Sequence, residues 1–448
     1  MNRQHSRPPA PQGTPLIGNT LEYLWNPFQF VNNALDECGD IYRMDLLYDL
    51  NIYVLANPDY FRRALVTDAD AFAKTADFQR AFGDGVLSTE GAQWSRQRGI
   101  LQPLFNLDRI RNYTNTMVET TQRRLATWEQ GETLEMESEM KNLTLEILFS
   151  TLFGRALSPG EGNDLRDAAD GLNKWFTPVS LALPNWVWTP SRQEFSNSKK
   201  RLRTEVQRLL SEYSVDSASE NQSDAETLLS KLNDARKASG QGHLSTEEVQ
   251  GQMLSMVFAG YETTAAALSF AWYSLAMNSE IQQSFHDELD SVLDGGPPTY
   301  DDIADLELTQ RIVTETLRLY PPIHTIPRRS TRDIEINDYL IPADEEVHLS
   351  IIAVHRDERF YDDPMAFQPN RWTDDFEANL PKYAFIPFGG GRRTCIGQEF
   401  ARLEATLVLA TIGQQWELAW DGGDPTITLE PEITIKTKNG LDMQLQSR

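Results

Sequence analysis

The sequence predicts a mainly α-helical fold with small β-sheets, and two observations support this. First, Ser245 and Glu248 form a capping-box pattern, and no helix breaker stronger than isolated glycines follows until about Asn278. A helix of roughly 30 residues would span about 45 Å at 1.5 Å per residue, which is long for a globular protein. Second, most of the remaining chain has helical periodicity, and only short stretches alternate like strands. Because no linker or internal repeat separates these segments, we expect one domain over residues 1–448, with a Pro-rich segment at 1–18.

In chain order, short strands alternate with longer helices. Two strands are predicted at Ile41–Leu46 and Ile52–Ala56, with a turn at Asp49–Asn51. Glycines, aspartates and scattered phenylalanines predict an irregular loop over Asp68–Thr89, and the polar stretch Ser214–Ser223 predicts a solvated loop. Helices are predicted at Pro27–Glu37, Pro58–Val66, Gln93–Leu104, Asp108–Trp128, Leu134–Phe153, Asp164–Thr177, Ser191–Tyr213, Thr309–Tyr320 and Gln398–Leu407, and further strands at Ile334–Ile336 and Val347–Ile352.

Composition disfavours several classes of function. The chain carries 66 acidic and 41 basic residues, a net charge of −25, which disfavours binding to nucleic acid or to anionic lipid. Only ten basic residues are lysines. Excess acid with little lysine resembles the composition of salt-adapted, haloarchaeal-type proteins, and an ordinary acidic enzyme is the alternative. No run of about 18 apolar residues predicts a transmembrane anchor, and the N-terminus lacks the apolar core of a signal peptide. We therefore expect a monomeric, cytoplasmic protein.

Two cysteines occur, Cys38 and Cys395, and their spacing does not predict a disulfide, so Cys38 is expected to be free and structural. Cys395 follows Gly389–Gly391 and precedes a helical pattern, where a helix N-terminus would favour the thiolate. Without a second Cys or His nearby, it cannot form a tetrahedral zinc site, but it can be the single protein ligand of a haem iron. An inert buried cysteine is the alternative. A phosphate-binding loop is not indicated, because the required Lys followed by Ser or Thr is missing.

The segment Phe388–Gly397 fits the pattern F-x-x-G-x-R-x-C-x-G in full. It resembles the haem-binding signature of the cytochrome P-450 (haem-thiolate monooxygenase) superfamily. The resemblance implies a single large triangular fold in which haem b lies between the long central helix and the helix after the cysteine loop. It also implies that Cys395 is the axial iron ligand and that Phe388 and Gly397 contact the haem. Further motifs, in the family's order from Trp94 onward, extend the resemblance over nearly the whole chain.

The long helix contains a second motif, since Ala259–Thr264 fits [AG]-G-x-[DE]-T-[TS]. Gly260 in mid-helix costs about 1 kcal/mol relative to Ala, and the hydroxyl of Thr263 can bond back to a helix carbonyl and bend the helix. An opening beside an acid and a hydroxyl would give water and protons a route to a buried site; ordinary polar residues on a helix surface are the alternative. By the resemblance, Thr263 lies near bound dioxygen, the co-substrate, and Glu262 supplies protons.

A third motif pairs Glu315 with Arg318 at i and i+3, so the two side chains meet on one helix face. Such pairs are common and mean little alone. Downstream, Phe367–Trp372 fits F-x-P-x-R-[FW]. By the resemblance, Arg371 joins the pair in a charge-assisted network that holds the loop before Cys395.

A fourth motif, W-x-x-x-R, is formed by Trp94 and Arg98, which share a helix face. By the resemblance, both bind the haem propionates, the tryptophan through its indole N–H and the arginine through its charged fork. Arg328, which follows Pro327, and Arg393 are the other expected propionate partners.

Together the motifs predict an enzyme that inserts one atom of dioxygen into an apolar small molecule, by hydroxylation or epoxidation. A haem-binding sensor or carrier and a peroxide-rearranging member of the superfamily are the alternatives, and the retained pair Glu262–Thr263 favours the monooxygenase. The sequence shows no flavin- or iron–sulfur-binding segment, so we expect electrons from a separate ferredoxin with its reductase. The docking face near Arg392 and Arg402 should be less acidic than the rest, with mixed-charge docking as the alternative.

The sequence does not select among a fatty acid, a terpenoid and a steroid as the substrate. By the resemblance, the pocket draws on five segments of the chain, and each of its apolar residues could equally belong to the core. The expected lining residues are Phe78, Phe82, Val86, Leu87, Phe258, Ala259, Ile323 and Ile326. Pro178–Pro190 is expected to be a packed lid, with contact to a membrane surface as the alternative.

Overall fold

The computed structural model describes residues 6–157, 162–184, 186–216 and 227–448, and helices dominate these ranges. The helices are α1 (Thr20–Trp25), α2 (Pro27–Cys38), α3 (Pro58–Arg62), α4 (Ala76–Phe82), α5 (Gly91–Leu101), α6 (Leu107–Asn112), α7 (Thr114–Leu125), α8 (Met136–Thr151), α9 (Asn163–Asp170), α10 (Pro178–Leu181), α11 (Pro190–Asp216), α12 (Leu228–Lys237), α13 (Thr246–Ala276), α14 (Ser279–Leu293), α15 (Glu307–Leu319), α16 (Ile351–His355), α17 (Asp374–Asn379) and α18 (Gln398–Gly413). The strands are β1 (Ile41–Leu46), β2 (Leu50–Leu55), β3 (Phe72–Ala73), β4 (Thr133–Glu135), β5 (Thr325–Ser330), β6 (Ile334–Ile336), β7 (Tyr339–Ile341), β8 (Glu346–Ser350), β9 (Trp416–Trp420), β10 (Leu429–Pro431), β11 (Ile435–Thr437) and β12 (Asp442–Ser447).

Helix α13 organises the helical part of the molecule, as its length predicts. Its capping box is formed: Glu248 N–H donates to Ser245 Oγ at 3.1 Å, and Ser245 N–H donates to Glu248 Oε2 at 2.9 Å. The helix is 31 residues long and buried on nearly all faces from Glu248 to Leu275. It packs against α8, α15 and α18, so apolar residues surround it as expected for a helix inside a large core.

The largest sheet has the strand order β1-β2-β8-β5-β3. Strand β2 pairs with β8 in parallel, with Val54 opposite His348, and β5 pairs with β8 antiparallel, with Pro327 opposite His348. Alternate residues of β8 point to opposite faces of the sheet. Val347 and Leu349 belong to the apolar cluster between the sheet and α3 and α16, so Glu346 and His348 project from the other face.

Three apolar clusters make up the core. The largest surrounds α13 and includes Phe82 and Phe258. The second lies under the sheet, and the third lies between the sheet and the N-terminal helices, with Tyr23, Met44 and Val54 among its members. The sheet therefore separates two packing layers, both of which are distinct from the helical core.

The predicted element types hold across most of the chain, but several predictions were wrong in part. The helix predicted at Asp164–Thr177 ends at Asp170, and the last two residues of the strand predicted at Val347–Ile352 belong to α16. The predicted loop Asp68–Thr89 contains α4, because Phe78 and Phe82 at i and i+4 pack with ring centres 6.0 Å apart. The predicted helix Asp108–Trp128 is broken at Tyr113, whose ring packs 5.9 Å from Phe400. In the predicted loop Ser214–Ser223, residues 214–216 belong to α11, and the others lie outside the described residues.

Candidate active site

Residues Phe388–Gly397 form a tight loop immediately before α18. The Cys395 N–H donates to the Phe388 carbonyl at 2.9 Å, and Gly397 is the residue that precedes the first helical turn. Gly391 has φ of +65°, and a Cβ there would lie 2.2 Å from the Leu65 carbonyl oxygen. Only glycine fits that position. The glycine-rich pattern therefore reflects the close approach of a neighbouring segment.

The Cys395 side chain is exposed and lines a cavity of about 370 Å³. Burial raises the pKa of the Cys395 thiol, while the Gly397 N–H and the Arg98 guanidinium act in the opposite direction. Those two groups favour the thiolate, which is the form that ligates a metal. Cys38 is free, as predicted.

Apolar side chains from several elements line the cavity. Helix α13 contributes Phe258, whose ring lies 5.1 Å from that of Phe82 on α4. Leu181 of α10 also lines the cavity, so part of the segment Pro178–Pro190 forms its wall. The structure brings all the predicted pocket residues to this cavity: Phe78, Phe82, Val86, Leu87, Phe258, Ala259, Ile323 and Ile326.

The four predicted propionate partners line the same cavity. The Arg393 guanidinium lies 4.8 Å from the Trp94 ring centre, and that of Arg98 lies 5.9 Å from it. Arg98 also donates to the Thr394 carbonyl at 2.8 Å, which ties α5 to the cysteine loop. Arg328 is buried on β5. These side chains come from three separate parts of the chain and meet at one site.

Lys74 joins this group, and sequence reasoning missed it. Burial lowers the pKa of Lys74 well below its usual value, and the charges of Arg328 and Arg393 lower it further. Burial, then Arg393, also lowers the pKa of Arg328 to about 10. Glu90 is the carboxylate that opposes these shifts, and it lies 3.7 Å from Arg393. The available signal was a lysine, one of only ten in the chain, directly after the apolar residues Ala71–Ala73.

This arrangement fits a haem. Lys74, Arg98, Arg328 and Arg393 line one cavity, and Glu90 is the carboxylate whose charge acts on Lys74, Arg328 and Arg393. One carboxylate does not offset three cations, and buried positive charge is unfavourable unless an anionic group compensates it. Haem carries two carboxylates, and its iron accepts a single thiolate ligand. The cations and the Cys395 thiol line the same cavity, so the residues present meet both requirements.

Helix α13 brings the predicted oxygen-activation motif to the cavity wall. Ala259, Gly260 and Thr263 line the cavity, and the Thr263 hydroxyl donates to the Ala259 carbonyl at 2.9 Å, the back-bonding that the sequence predicts. A Cβ at Gly260 would lie 2.6 Å from Leu148 Cδ1. The glycine therefore allows α8 to pack closely against α13 at this point.

Glu262 lies behind the cavity wall and does not line it. Its Oε1 accepts from Asn173 Nδ2 at 2.6 Å and from Thr434 Oγ1 at 2.9 Å, and the Lys141 ammonium lies 3.5 Å away. Burial raises the pKa of Glu262, and Lys141 opposes the rise. Its Oε2 has no hydrogen-bond partner among the described residues, so one oxygen is available to another donor.

The predicted clamp is formed in full: Glu315 and Arg318 are fully buried, and the Arg371 side chain is 6% exposed. Arg318 donates to Glu315 through Nε at 2.9 Å and through Nη2 at 2.7 Å, and Arg371 Nε donates to Glu315 Oε1 at 3.1 Å. Trp372 Nε1 adds a bond to Glu315 Oε2 at 2.8 Å, and the Gln368 N–H adds one to Oε1 at 3.0 Å. The Glu315 carboxylate is thus saturated with donors, which is what a buried charge requires.

His355 connects the clamp to the cysteine loop, and the sequence did not indicate it. Arg318 donates to the His355 carbonyl at 2.9 Å, and the Ile386 N–H donates to His355 Nε2 at 2.9 Å. Burial, reinforced by the Arg318 charge, lowers the pKa of His355 to about 3. The imidazole is therefore a neutral acceptor that holds the chain two residues before Phe388.

Glu404 on α18 is a second group that sequence reasoning missed. It is fully buried, and burial raises the pKa of its carboxyl well above the usual value, with the Thr264 hydroxyl opposing the rise. Burial therefore favours the protonated, neutral form of this carboxyl. A charged residue inside an apolar helical run was the available signal.

Fold and site together define a haem-thiolate oxidoreductase, in which one cysteine and a set of buried cations meet at an apolar cavity beside a long central helix. The chain belongs to the Cytochrome P450 family, which it matches over residues 8–443. It is a monooxygenase whose cofactor is a thiolate-ligated haem. Of the described helices, none is both long and apolar enough to cross a bilayer.

Relatives from bacteria resemble nearly the entire chain. Pentalenene oxygenase of Streptomyces avermitilis is 30% identical over 436 residues, covering 95% of this chain and 92% of the relative. Cyclooctat-9-en-7-ol 5-monooxygenase of Streptomyces melanosporofaciens is 30% identical, covering 91% and 89%. The solved structure of retinoic acid-bound cyanobacterial CYP120A1 superposes with a TM-score of 0.85 at 23% identity, covering 99% of this chain and 100% of that one. The fold prediction is thereby confirmed.

Proposed function

We propose that this monooxygenase, acting as one domain over residues 1–448, oxidises an apolar small molecule of the terpenoid, steroid or fatty-acid type. The observation that carries the proposal is the cavity itself, in which Cys395 faces aromatic and aliphatic side chains such as Phe82 and Phe258. Burying apolar surface there contributes roughly 25 cal/mol per Å² to binding. Two relatives are named for pentalenene and cyclooctat-9-en-7-ol as the compounds they oxidise. Of the three classes, we therefore place a terpenoid first.

Each polar group at the cavity has a proposed task. Cys395 would hold the iron, and Phe388 and Gly397 would contact the haem. The propionates would be held by Trp94, Arg98, Arg328, Arg393 and the added Lys74. The bound haem supplies activation of dioxygen. Glu315, Arg318 and Arg371 keep the cysteine loop in place through buried hydrogen bonds.

Proton supply is assigned to Thr263 and Glu262. The Thr263 hydroxyl lies at the cavity wall and holds a proton next to the reacting molecule. Glu262 is one residue behind and outside the cavity, so it acts by resupplying Thr263 rather than by direct contact. Its unpartnered Oε2 is the oxygen available for this relay. General acid–base contributions of this kind are typically 10²- to 10⁴-fold.

A ferredoxin with its reductase is the proposed electron donor. Arg392, in the cysteine loop, is exposed, and it offers a cation to an acidic partner near the iron ligand. Charge reversal, Arg392→Glu, should slow reduction by an acidic ferredoxin and leave reduction by dithionite unchanged. Equal rates for the variant and the native protein with the ferredoxin would contradict docking at this face.

The haem assignment is tested by the spectrum of the reduced carbon-monoxide complex. The native protein should show the red-shifted Soret band of a thiolate ligand, and Cys395→Ala should lose it. Cys38→Ala is the matched control and should keep it. A native spectrum without the thiolate shift, or a retained shift in Cys395→Ala, would remove the basis of the proposal.

The role of Thr263 is tested by Thr263→Ala, which removes the hydroxyl but keeps the helix. Substrate turnover per electron consumed should fall, with hydrogen peroxide formed instead, while Thr263→Ser should retain most of the coupling. Unchanged turnover and unchanged coupling in Thr263→Ala would exclude the proposed role. Glu262→Gln should slow turnover without altering the carbon-monoxide spectrum.

A further inference from the structure

The substrate cavity extends beyond the helical core to the N-terminal layer of the molecule. Its lining includes Phe28 and Val31 of α2, Met44 of β1 and Val54 of β2, in addition to the residues around Cys395. Met44 and Val54 belong to the apolar cluster between the sheet and α1 and α2, which is separate from the cluster around α13. The cavity is therefore elongated, with one part at Cys395 and another against the sheet.

Tyr23, Glu346 and His348 are polar residues that line the cavity on the side of α1 and β8. We call them the polar end of the cavity. His348 Nε2 lies 2.7 Å from Glu346 Oε1. Through the pairing of β1 with β2 and of β2 with β8, both side chains lie on the same face of the sheet as Met44 and Val54. Tyr23 comes from α1 and is 7% exposed. Thus two separate elements direct polar atoms into an otherwise apolar region.

The Tyr23 hydroxyl is an unused donor. No hydrogen-bond partner for it occurs among the described residues, although its ring packs 6.1 Å from that of Phe30. Burial, and then the charge of Glu346, raises the pKa of Tyr23, so the phenol keeps its proton. Tyr23 lines the cavity, so a ligand that accepts its hydrogen bond would take the place of water there.

The charge at this end selects against acids. Glu346 acts electrostatically on both Tyr23 and Asp77, which also lines the cavity. Asp77 is already bonded to Arg80 at 2.7 Å and to Trp175 at 2.8 Å. The nearby neutral His324 has its Nε2 at 3.1 Å from the Glu432 carbonyl. A ligand carboxylate would meet like charge here, whereas a hydroxyl could accept from the phenol and donate to the carboxylate.

We propose that the cavity binds an elongated apolar alcohol with its hydroxyl at the polar end, accepting from Tyr23 and donating to Glu346, and that the corresponding carboxylic acid is rejected. This inference rests on the proposed function, because it names the class of molecule that the monooxygenase oxidises at the other end. It makes the polar end a determinant of both substrate choice and the position of oxidation.

The test measures the shift in haem spin state on binding of matched isoprenoid probes to the purified haem-loaded protein. The probes are farnesol, farnesoic acid and farnesane, with retinol and retinoic acid as a longer pair. We expect the alcohols to bind at least about tenfold more tightly than their acids. Glu346→Gln should reduce that ratio roughly tenfold by improving acid binding, and Tyr23→Phe should weaken the alcohols severalfold and leave farnesane unchanged.

Neighbouring residues provide matched controls. Glu345→Gln removes a charge one residue away that does not line the cavity, and Tyr48→Phe removes a phenol that is 57% exposed outside it. Neither should alter the ratio. Acids binding as tightly as alcohols, or a ratio that Glu346→Gln does not change, would overturn the inference, as would the absence of any spin shift with these probes in a protein with an intact carbon-monoxide band. Loss of that band itself would instead refute the proposed function.

Discussion

Replacement of Arg318 by leucine is the sharpest test of the clamp. Arg318 and Glu315 are both 0% exposed, and the guanidinium makes two bonds to the carboxylate. It makes three more to the carbonyls of His355, Pro364 and Ala366, at 2.9, 2.6 and 3.1 Å. The leucine variant therefore leaves one buried carboxylate short of its main partner and three carbonyls without this donor.

The expected loss is large compared with total stability. Removing one partner of a buried ion pair typically costs about 3–5 kcal/mol, and each buried carbonyl left without a donor costs about 1–3 kcal/mol unless water reaches it. Arg371 and Trp372 still donate to Glu315, which limits the first figure. A loss of about 5 kcal/mol would equal the whole stability of a marginal protein. Because the His355 carbonyl is released, the cysteine loop should loosen as well.

The assay is urea unfolding of the haem-loaded protein, followed by tryptophan fluorescence and by the Soret band. Arg318→Lys keeps the charge but loses the paired geometry, so it should unfold at an intermediate urea concentration and remains measurable if the leucine variant does not fold. Arg311→Gln on the same helix is the control. Its bond to Glu307, at 3.1 Å, joins side chains that are 35% and 67% exposed, so the change should be within about 0.5 kcal/mol.

Two outcomes would refute the reasoning. If Arg318→Leu unfolded within about 1 kcal/mol of the native protein, the buried network would contribute no more than a surface pair. If Arg318→Leu and Arg311→Gln were equally destabilised, burial would not be the cause. Either result would mean that the contribution of the clamp to stability does not come from its buried hydrogen bonds.

Three further predictions concern single residues. The pKa of His355 is lowered to about 3, so the stability that depends on its neutral imidazole is present above pH ~6.5 and is lost as pH falls. In the native protein the free energy of unfolding, measured in urea, should therefore decrease between pH 6.5 and 4. His355→Gln should make this decrease smaller, by up to about 1.4 kcal/mol per pH unit. The pKa of Glu404 is raised, so the stability that its protonated carboxyl contributes is present below the unfolded-state pKa of about 4.3 and is lost as pH rises. The free energy of unfolding of Glu404→Gln should therefore increase relative to that of the native protein between pH 5 and pH 8. An equal difference between the two proteins at pH 5 and at pH 8 would contradict a raised pKa. Gly391→Ala should lose haem more readily than the control Gly99→Ala, as measured by haem transfer to apomyoglobin. A Cβ at position 391 would lie 2.2 Å from the Leu65 carbonyl oxygen, whereas a Cβ at position 99 would have no atom within 4 Å. Equal haem retention in the two variants would show that the loop relaxes freely.

Prediction from the sequence was accurate where a residue and the neighbours that determine its structure lie in one short segment. The cysteine loop, the capping box at Ser245 and the bond from Thr263 to the Ala259 carbonyl depend on neighbours within a few residues. Helix periodicity also placed most elements, since the apolar face of each helix is set by its own sequence. The errors occurred where packing against a residue distant in sequence determines the local structure, as where Tyr113 packs against Phe400.

The side chains that sequence reasoning missed depend on partners far along the chain. Lys74 belongs with Arg328 and Arg393 only because β5 and the cysteine loop approach it, and His355 becomes a link because it accepts from Ile386 while its carbonyl faces Arg318. No local pattern around either residue indicates these contacts.

By itself, the sequence predicted Cys395 as the iron ligand and correctly indicated the class of cofactor and the long helix, because each depends on residue types at fixed short spacing. Only the tertiary structure decided that Glu262 lies behind the cavity wall, held by Asn173, Thr434 and Lys141. Likewise, only the tertiary structure places Tyr23 close enough to Glu346, at the far part of the cavity, for the carboxylate to affect the phenol. The physical reason is that burial and charge depend on which distant segments pack together, and those contacts arise only when the whole core forms.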